Sequence, residues 1–218
     1  DETPVDGVVA IDFADTAHPI VERLDVDLHT CGYALCILDS GAGHEDLTGE
    51  YSAITEELRA VCRVFGKEVL REVPEADFLA ELPHVRKAVG DRAVNRAFHV
   101  YGENRRVREE VQALRSGDFQ RFLALVRESG RSSAIYLQNI IPTGSTAAQE
   151  LMVAIALCER MLEGRGAVRV HGGGFGGTAQ AFVPLDMLDG FRDRVEASLG
   201  RGCCHVVRIR PVGGIRLG

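Results

Sequence analysis

The chain of 218 residues carries 25 Lys+Arg against 32 Asp+Glu, a formal net charge of −7. That balance excludes the basic surface of a general nucleic-acid or anionic-membrane binder. A hydrophobic fraction of 45% and a charged fraction of 26% describe an ordinary globular chain, long enough to bury a proper core in one large or two small domains. Cys31, Cys36, Cys62, Cys158, Cys203 and Cys204 form no C-x-x-C and sit inside apolar runs. They read as buried free thiols in a reducing cytoplasm. No apolar stretch reaches the length of a membrane span.

In chain order, residues 8–13 predict a strand and 32–38 a short buried strand that ends in the loop "DSGAGH". A helix starts near Thr48, with Ile54, Leu58, Val61, Cys62 and Phe65 at helical spacing and Gly66 closing it. Short helical pieces punctuated by Pro74 and Pro83 follow. Residues 92–114 predict a long helix with Val94, Phe98, Tyr101, Val107, Val111 and Leu114 as its apolar stripe. A helix over 118–128 turns Phe119, Phe122, Leu123 and Val126 inward, and a polar Gly/Ser-rich link leads to a helix over 147–162. Strands over 167–170 and 178–183, a helix over 185–199 and a strand over 203–209 complete the set, with Pro211 stopping the last. With the helices between 67 and 130 set aside, this order predicts an α+β, ferredoxin-like split β-α-β sheet.

"VRVHGGGFGGTAQAFVP" joins the two middle strands. Gly172, Gly174 and Gly177 satisfy G-x-G-x-x-G, but the next residues alternate like a strand where a dinucleotide site needs a helix. HGGG also suits the oxyanion loop of lipases, yet no G-x-S-x-G elbow accompanies it. What remains is a hairpin with backbone N–H groups at its tip, either a nest for an anion or a plain tight connection. Asp39 and Ser40 follow a buried strand and read as a turn. Tyr51 either presents its hydroxyl to a polar ligand or packs its ring and wets its tip. His99, Glu103 and Arg106 share one helix face, and a solvated ion-pair stripe is the preferred reading over acid–base work. His171 abuts the glycines without a second ligand at metal spacing, and His44, His84 and His205 are scattered.

The run "VHGGGFGGTAQAFV" resembles the third motif of the galactokinases, TGGGFGGC. These belong to the superfamily of galactokinase, homoserine kinase, mevalonate kinase and phosphomevalonate kinase (GHMP). "CILDSGAGHEDLTGEYSAITEELRAVCRVFGKEVLREV", "RAFHVYGENRRVREEVQALRSGDFQRFLALVRESGRSS" and the tail "RIRPVGGIRL" are similar to further stretches of the same family, in the same order. The resemblance implies the C-terminal domain of the GHMP fold over 31–218. It implies that residues 1–30 are a strand region continuing from an N-terminal domain upstream of Asp1. The sugar motif, the phosphate-binding motif and the candidate base aspartate would lie in that upstream half, so no catalytic residue and no metal ligand is expected here.

The same resemblance implies a cytoplasmic transferase of galactose metabolism. It would move the γ-phosphoryl group of ATP, with Mg²⁺, to the C1 hydroxyl of galactose. Its partners would be the sugar, ATP and its own N-terminal domain, with no nucleic acid or membrane. This half alone would be inactive. Tyr51 matches the tyrosine that meets the sugar, and Gly172, Gly173, Gly174, Phe175, Gly176 and Gly177, with His171 beside them, match the loop that buttresses the nucleotide phosphates. His171 replaces the usual Thr, Thr178 the usual Cys, and "SGRSSAIYLQNIIPTGSTAAQEL" replaces the family's acidic tract. Those departures leave two alternatives: a non-catalytic sugar sensor, or a GHMP kinase for another small alcohol.

Overall fold

The computed structural model describes residues 7–43 and 47–208. His44, Ile209, Pro211 and the tail motif from Ile209 onward lie outside the described residues. Among those described, no helix is long and apolar enough to cross a membrane.

The chain opens as a hairpin of β1 (Val8–Asp12) and β2 (Ile20–Leu24), which form their own two-stranded sheet. The sequence predicts β1 but not β2. Ion pairs of Asp12 with Arg71 and of Glu22 with Arg115 tie the hairpin to the helices, and Leu24 joins the core.

The main sheet contains β3 (Tyr33–Asp39), β4 (Ala167–Val170), β5 (Thr178–Pro184) and β6 (Cys204–Val207), ordered β4-β5-β3-β6 and antiparallel throughout. This is the split β-α-β arrangement predicted from the sequence. Among the described residues, six α-helices lie between β3 and β4: α1 (Thr48–Val64), α2 (Glu75–Ala80), α3 (Leu82–Val89), α4 (Asp91–Arg115), α5 (Phe119–Ser132) and α6 (Glu150–Leu162). The last helix, α7 (Leu188–Leu199), follows one 3₁₀ turn at Leu185–Met187 and connects β5 to β6.

Alternation along the strands decides which core each side chain enters. Cys36, Leu38, Ala179, Ala181, Val183, Val168 and Val170 face Leu151, Cys158 and Leu162 of α6 and Phe191 and Val195 of α7. Tyr33, Phe182 and Ala167 face the other way, onto Phe119, Leu123 and Val126 of α5. Both faces of the sheet are therefore covered, which is why its strands read as nearly unbroken apolar runs. A third core gathers Val61, Cys62, Phe78, Val85, Val94 and Ala97. It places α1 inside the helical insertion, packed on α4, so α6 is the helix that crosses the sheet.

Three expectations change. Helix α5 runs on to Ser132 and continues as a π-helical turn over Ser133–Leu137, through what reads as a Gly/Ser link. The reason is tertiary. A Cβ on Gly130 would lie 3.0 Å from Arg169 Cβ and 3.2 Å from the Val168 carbonyl, so glycine lets α5 lie against β4. Val107 of the predicted apolar stripe is exposed. Helix α6 begins at Glu150 instead of near 147, after an irregular strap over residues 138–149.

All six cysteines are free thiols, five of them buried and Cys31 half-buried.

Candidate functional site

The strap, the first turns of α1 and the loop joining β4 to β5 meet at one end of the sheet. The ladder closes where the His171 amide donates to the Thr178 carbonyl at 2.9 Å. Beyond it the loop turns through positive φ at Gly172, Gly174, Phe175 and Gly177. Phe175 is the one side chain held there in the left-handed region, a conformation that costs roughly 1 kcal/mol or more. It is buried and meets Tyr51 edge-to-face, with ring centroids 5.6 Å apart.

Two elements grip the loop from the helical side. Tyr51 Oη donates to the Gly174 carbonyl at 2.7 Å. Asn139, at 2% exposure, touches three consecutive loop residues. Its Nδ2 donates to the Gly173 carbonyl at 3.2 Å, its carbonyl accepts from the Phe175 amide at 2.6 Å, and that carbonyl lies 2.0 Å from where a Gly174 Cβ would sit. From the sheet side, the Ser40 amide donates to the Gly177 carbonyl at 2.7 Å. Asp39 and Ser40 make the expected turn, since their side chains accept from the amides of Gly41 and Ala42. His171 is exposed, its Nδ1 3.3 Å from Thr178 Oγ1. The amides of Gly172, Gly173 and Gly174 have no partner among the described residues. The hairpin is therefore a packed turn with three adjacent unused donors, an arrangement suited to anionic oxygens.

A charged network fixes α1, α4 and the strap to one another. Arg96 is buried at 1% exposure; its Nη1 donates to Glu57 Oε2 at 2.8 Å and its Nε to the Leu137 carbonyl at 3.2 Å. Arg92 donates to Glu57 Oε1 through Nε at 2.9 Å and to Thr143 Oγ1 at 3.1 Å. Glu50, next to Tyr51, accepts from both the amide and the hydroxyl of Thr143. Burial pushes the Arg96 pKa down while Glu57 opposes it. A guanidinium stays charged under such pressure, so Glu57 is its indispensable counter-ion.

The expected solvated stripe of His99, Glu103 and Arg106 is instead enclosed between α4, α5 and β4. Glu103 Oε1 accepts from Ser129 Oγ at 2.5 Å and pairs with Arg169 at 3.3 Å. Its Oε2 accepts from Arg106 Nε at 3.0 Å, while Arg106 Nη2 makes an ion-pair contact at 2.8 Å without hydrogen-bond geometry. His99 Nδ1 is 2.9 Å from Ser132 Oγ. The spacing put these residues on one face, but α5 and β4 cover that face. Both Glu103 oxygens are engaged, so the cluster braces the fold and leaves no free base.

Burial, together with the charge of Glu103, raises the pKa of neighbouring Glu110 to about 7, with Arg169 and Arg106 opposing. Burial pushes His99 down from 6.5, with Glu103 opposing. The folded state therefore holds the Glu110 proton more tightly than the unfolded chain, and stability falls as pH rises from about 4.5 to about 7. His99 acts oppositely, withdrawing stability as pH drops below 6.5. Glu110→Gln is expected to raise urea stability at pH 8 by roughly 1–2 kcal/mol, a gain that disappears near pH 4.5. An equal gain at both pH values would contradict the assignment.

Among the described residues, no group of three or more His, Cys, Asp or Glu side chains is placed to hold a metal ion. His84 and His205 lie away from the loop contacts described above. Sequence reasoning singled out Tyr51, His171 and residues 172–177, and the structure brings them together. It missed Asn139, Arg96 and Glu57 as parts of the same assembly. The helical register of Glu50, Tyr51 and Glu57 was visible, but nothing local marks their partners.

The sheet order, the two crossover helices on one face and a glycine loop between the middle strands define an α+β domain of the GHMP C-terminal type. Among solved structures, the galactokinase of Lactococcus lactis complexed with galactose superposes with a TM-score of 0.66 at 23% identity. That match covers 88% of this chain and 47% of the other. No family model matches the chain. Galactokinase of Thermotoga neapolitana is 35% identical over 195 residues, 86% of this chain and 51% of that protein. Galactokinase of Glaesserella parasuis serovar 5 is 31% identical over 161 residues, 74% and 40% respectively. Over most of its length the chain is similar to galactokinases, which supports a galactokinase-like C-terminal region of the GHMP type. It spans about half the length, or less, of these curated relatives.

Proposed function

We propose that the full-length protein is a sugar kinase that transfers the γ-phosphoryl group of ATP to the C1 hydroxyl of galactose. The observation that carries this reading is the junction of Tyr51 with the loop at Gly174, beside three amides without partners among the described residues. The likeness to galactokinases supports the choice of sugar. In this reading the loop receives phosphate oxygens of the nucleotide, and glycine keeps Cβ atoms out of the approach. Tyr51 borders the sugar while its hydroxyl hydrogen stays on the loop, so sugar and phosphate positions are coupled through one bond.

Phosphoryl transfer depends on placement and charge more than on covalent help from the protein. Mg²⁺ would supply charge neutralisation at the ATP phosphates. The base that takes the C1 hydroxyl proton belongs to the rest of the full-length protein, and this chain alone is inactive. A sugar sensor without turnover is the second reading. It is favoured by the run "SGRSSAIYLQNIIPTGSTAAQEL", which carries no carboxylate before Glu150 where galactokinases have an acidic tract.

ADP release by the full-length protein, measured with galactose, N-acetylgalactosamine, glucose and mevalonate, separates the readings. Galactose-dependent release is expected, with none from the isolated chain. Sugar binding without ADP release from any of the four would move the assignment to the sensor.

A further inference from the structure

We propose that Asn139 is the positioning residue of the glycine loop, setting which of its peptide groups face a nucleotide phosphate. The proposal rests on the kinase reading above and deepens it by assigning nucleotide-side fit to a residue outside the loop.

The argument lies in two consecutive peptide units. In a trans peptide, the form found throughout the described residues, the N–H points opposite to the C=O. Asn139 Nδ2 draws the Gly173 carbonyl toward the strap, so the Gly174 amide is turned away from it. In the next unit the directions reverse: the Phe175 amide points to the Asn139 carbonyl and the Gly174 carbonyl to Tyr51. At Gly174 this reversal is made at a φ of +89°, a conformation that favours glycine. Without the Nδ2 bond, the Gly173–Gly174 peptide has no partner among the described residues to hold its orientation. The Gly174 donor would then lose the bond that sets its direction.

Asn139 is itself held on every side. Ser133 Oγ donates to its Oδ1 at 2.7 Å, which fixes the amide so that Nδ2 faces the loop. Gln138, in the left-handed conformation, ends the π turn just before it, and Arg96 anchors the Leu137 carbonyl. A buried side chain with donor and acceptor both engaged, aimed at a loop in which the Gly172, Gly173 and Gly174 amides have no partner among the described residues, is a template and not a filler. Leu or Val of similar volume would fill the space without orienting the peptide.

The test uses Asn139→Asp and Ser133→Ala in the full-length protein. Aspartate keeps the size and still accepts from Ser133, but when ionised it sets a carboxylate oxygen against the Gly173 carbonyl. The expected result is a rise in KM for ATP of about tenfold or more, the scale of one lost buried hydrogen bond. KM for galactose should stay within about twofold. The ATP defect should shrink as pH falls, because the introduced carboxyl group, once protonated, again supplies a donor. Ser133→Ala is expected to fall between wild type and Asn139→Asp. Unchanged KM for ATP, or equal losses for both substrates without pH recovery, would overturn the proposal.

Hydrogen exchange of the segment 171–178 provides a readout that needs no activity. Faster exchange in Asn139→Asp than in wild type supports the positioning role even if wild type releases no ADP, in which case only the kinase reading fails. Identical exchange overturns it.

Discussion

Gly174→Ala is expected to destabilise the fold by about 3 kcal/mol or more, whereas Gly172→Ala should cost only about 1 kcal/mol. Both glycines have positive φ, +89° and +70°, so an L side chain is strained at either. Space separates them. Nothing lies within 4 Å of a Cβ built on Gly172, while one on Gly174 would fall 2.0 Å from the Asn139 carbonyl and 2.6 Å from its Nδ2. The obstacle at Gly174 is backbone, held in turn by the Phe175 amide and, through the strap, by Arg96. The strap must therefore move away, and with it the bonds from Tyr51 and Asn139 that shape the loop. Urea denaturation of the two variants beside wild type provides the comparison. Equal losses would show that strain alone governs the loop and that the close approach of the strap is unimportant.

Arg96→Met is the second large effect, expected at about 3–4 kcal/mol. Methionine fills much of the volume but leaves one Glu57 oxygen and the Leu137 carbonyl, both on half-buried residues, without their donor. Removing one partner of a buried ion pair typically costs about 3–5 kcal/mol because the other charge remains. Arg92 still holds Glu57 Oε1, which keeps the figure below the upper end. Glu57→Gln in the Arg96→Met background should restore part of the loss by removing the stranded charge. A double-mutant cycle on thermal or urea unfolding checks this. Additive losses in the double variant would mean that the two side chains are not coupled.

These expectations show where sequence was informative and where it was not. The strands of the main sheet stand out because residues such as Leu38, Ala181 and Val170 bury continuous apolar runs between two helical layers. The glycine loop is equally visible, since six positions with almost no side chains between two strands demand a special backbone. Strand β2 was invisible: "IVERL" is largely exposed and pairs only with β1, so neither alternation nor burial marks it.

The end of α5 was misread for a different reason. Ser129, Ser132 and Ser133 look like linker residues, but their hydroxyls reach Glu103, His99 and Asn139, most of them on elements far apart in sequence. Small polar residues are local helix weakeners, and here tertiary hydrogen bonds outweigh that tendency. The same limit hides the site. Tyr51 and the glycines carry a recognisable pattern, while Asn139 and Arg96 acquire their roles only from what folds against them. His99, Glu103 and Arg106 advertise a shared face, yet whether that face meets water or β4 depends on Gly130 and Arg169.

The most decisive measurement is the chemical fate of the γ-phosphate when the full-length protein is incubated with Mg·ATP and galactose, followed by phosphorus NMR. Galactose carrying phosphate on its C1 oxygen, formed one-for-one with ADP, is the result predicted here. ATP left intact in the presence of bound galactose, or phosphate appearing only on another alcohol, would contradict it.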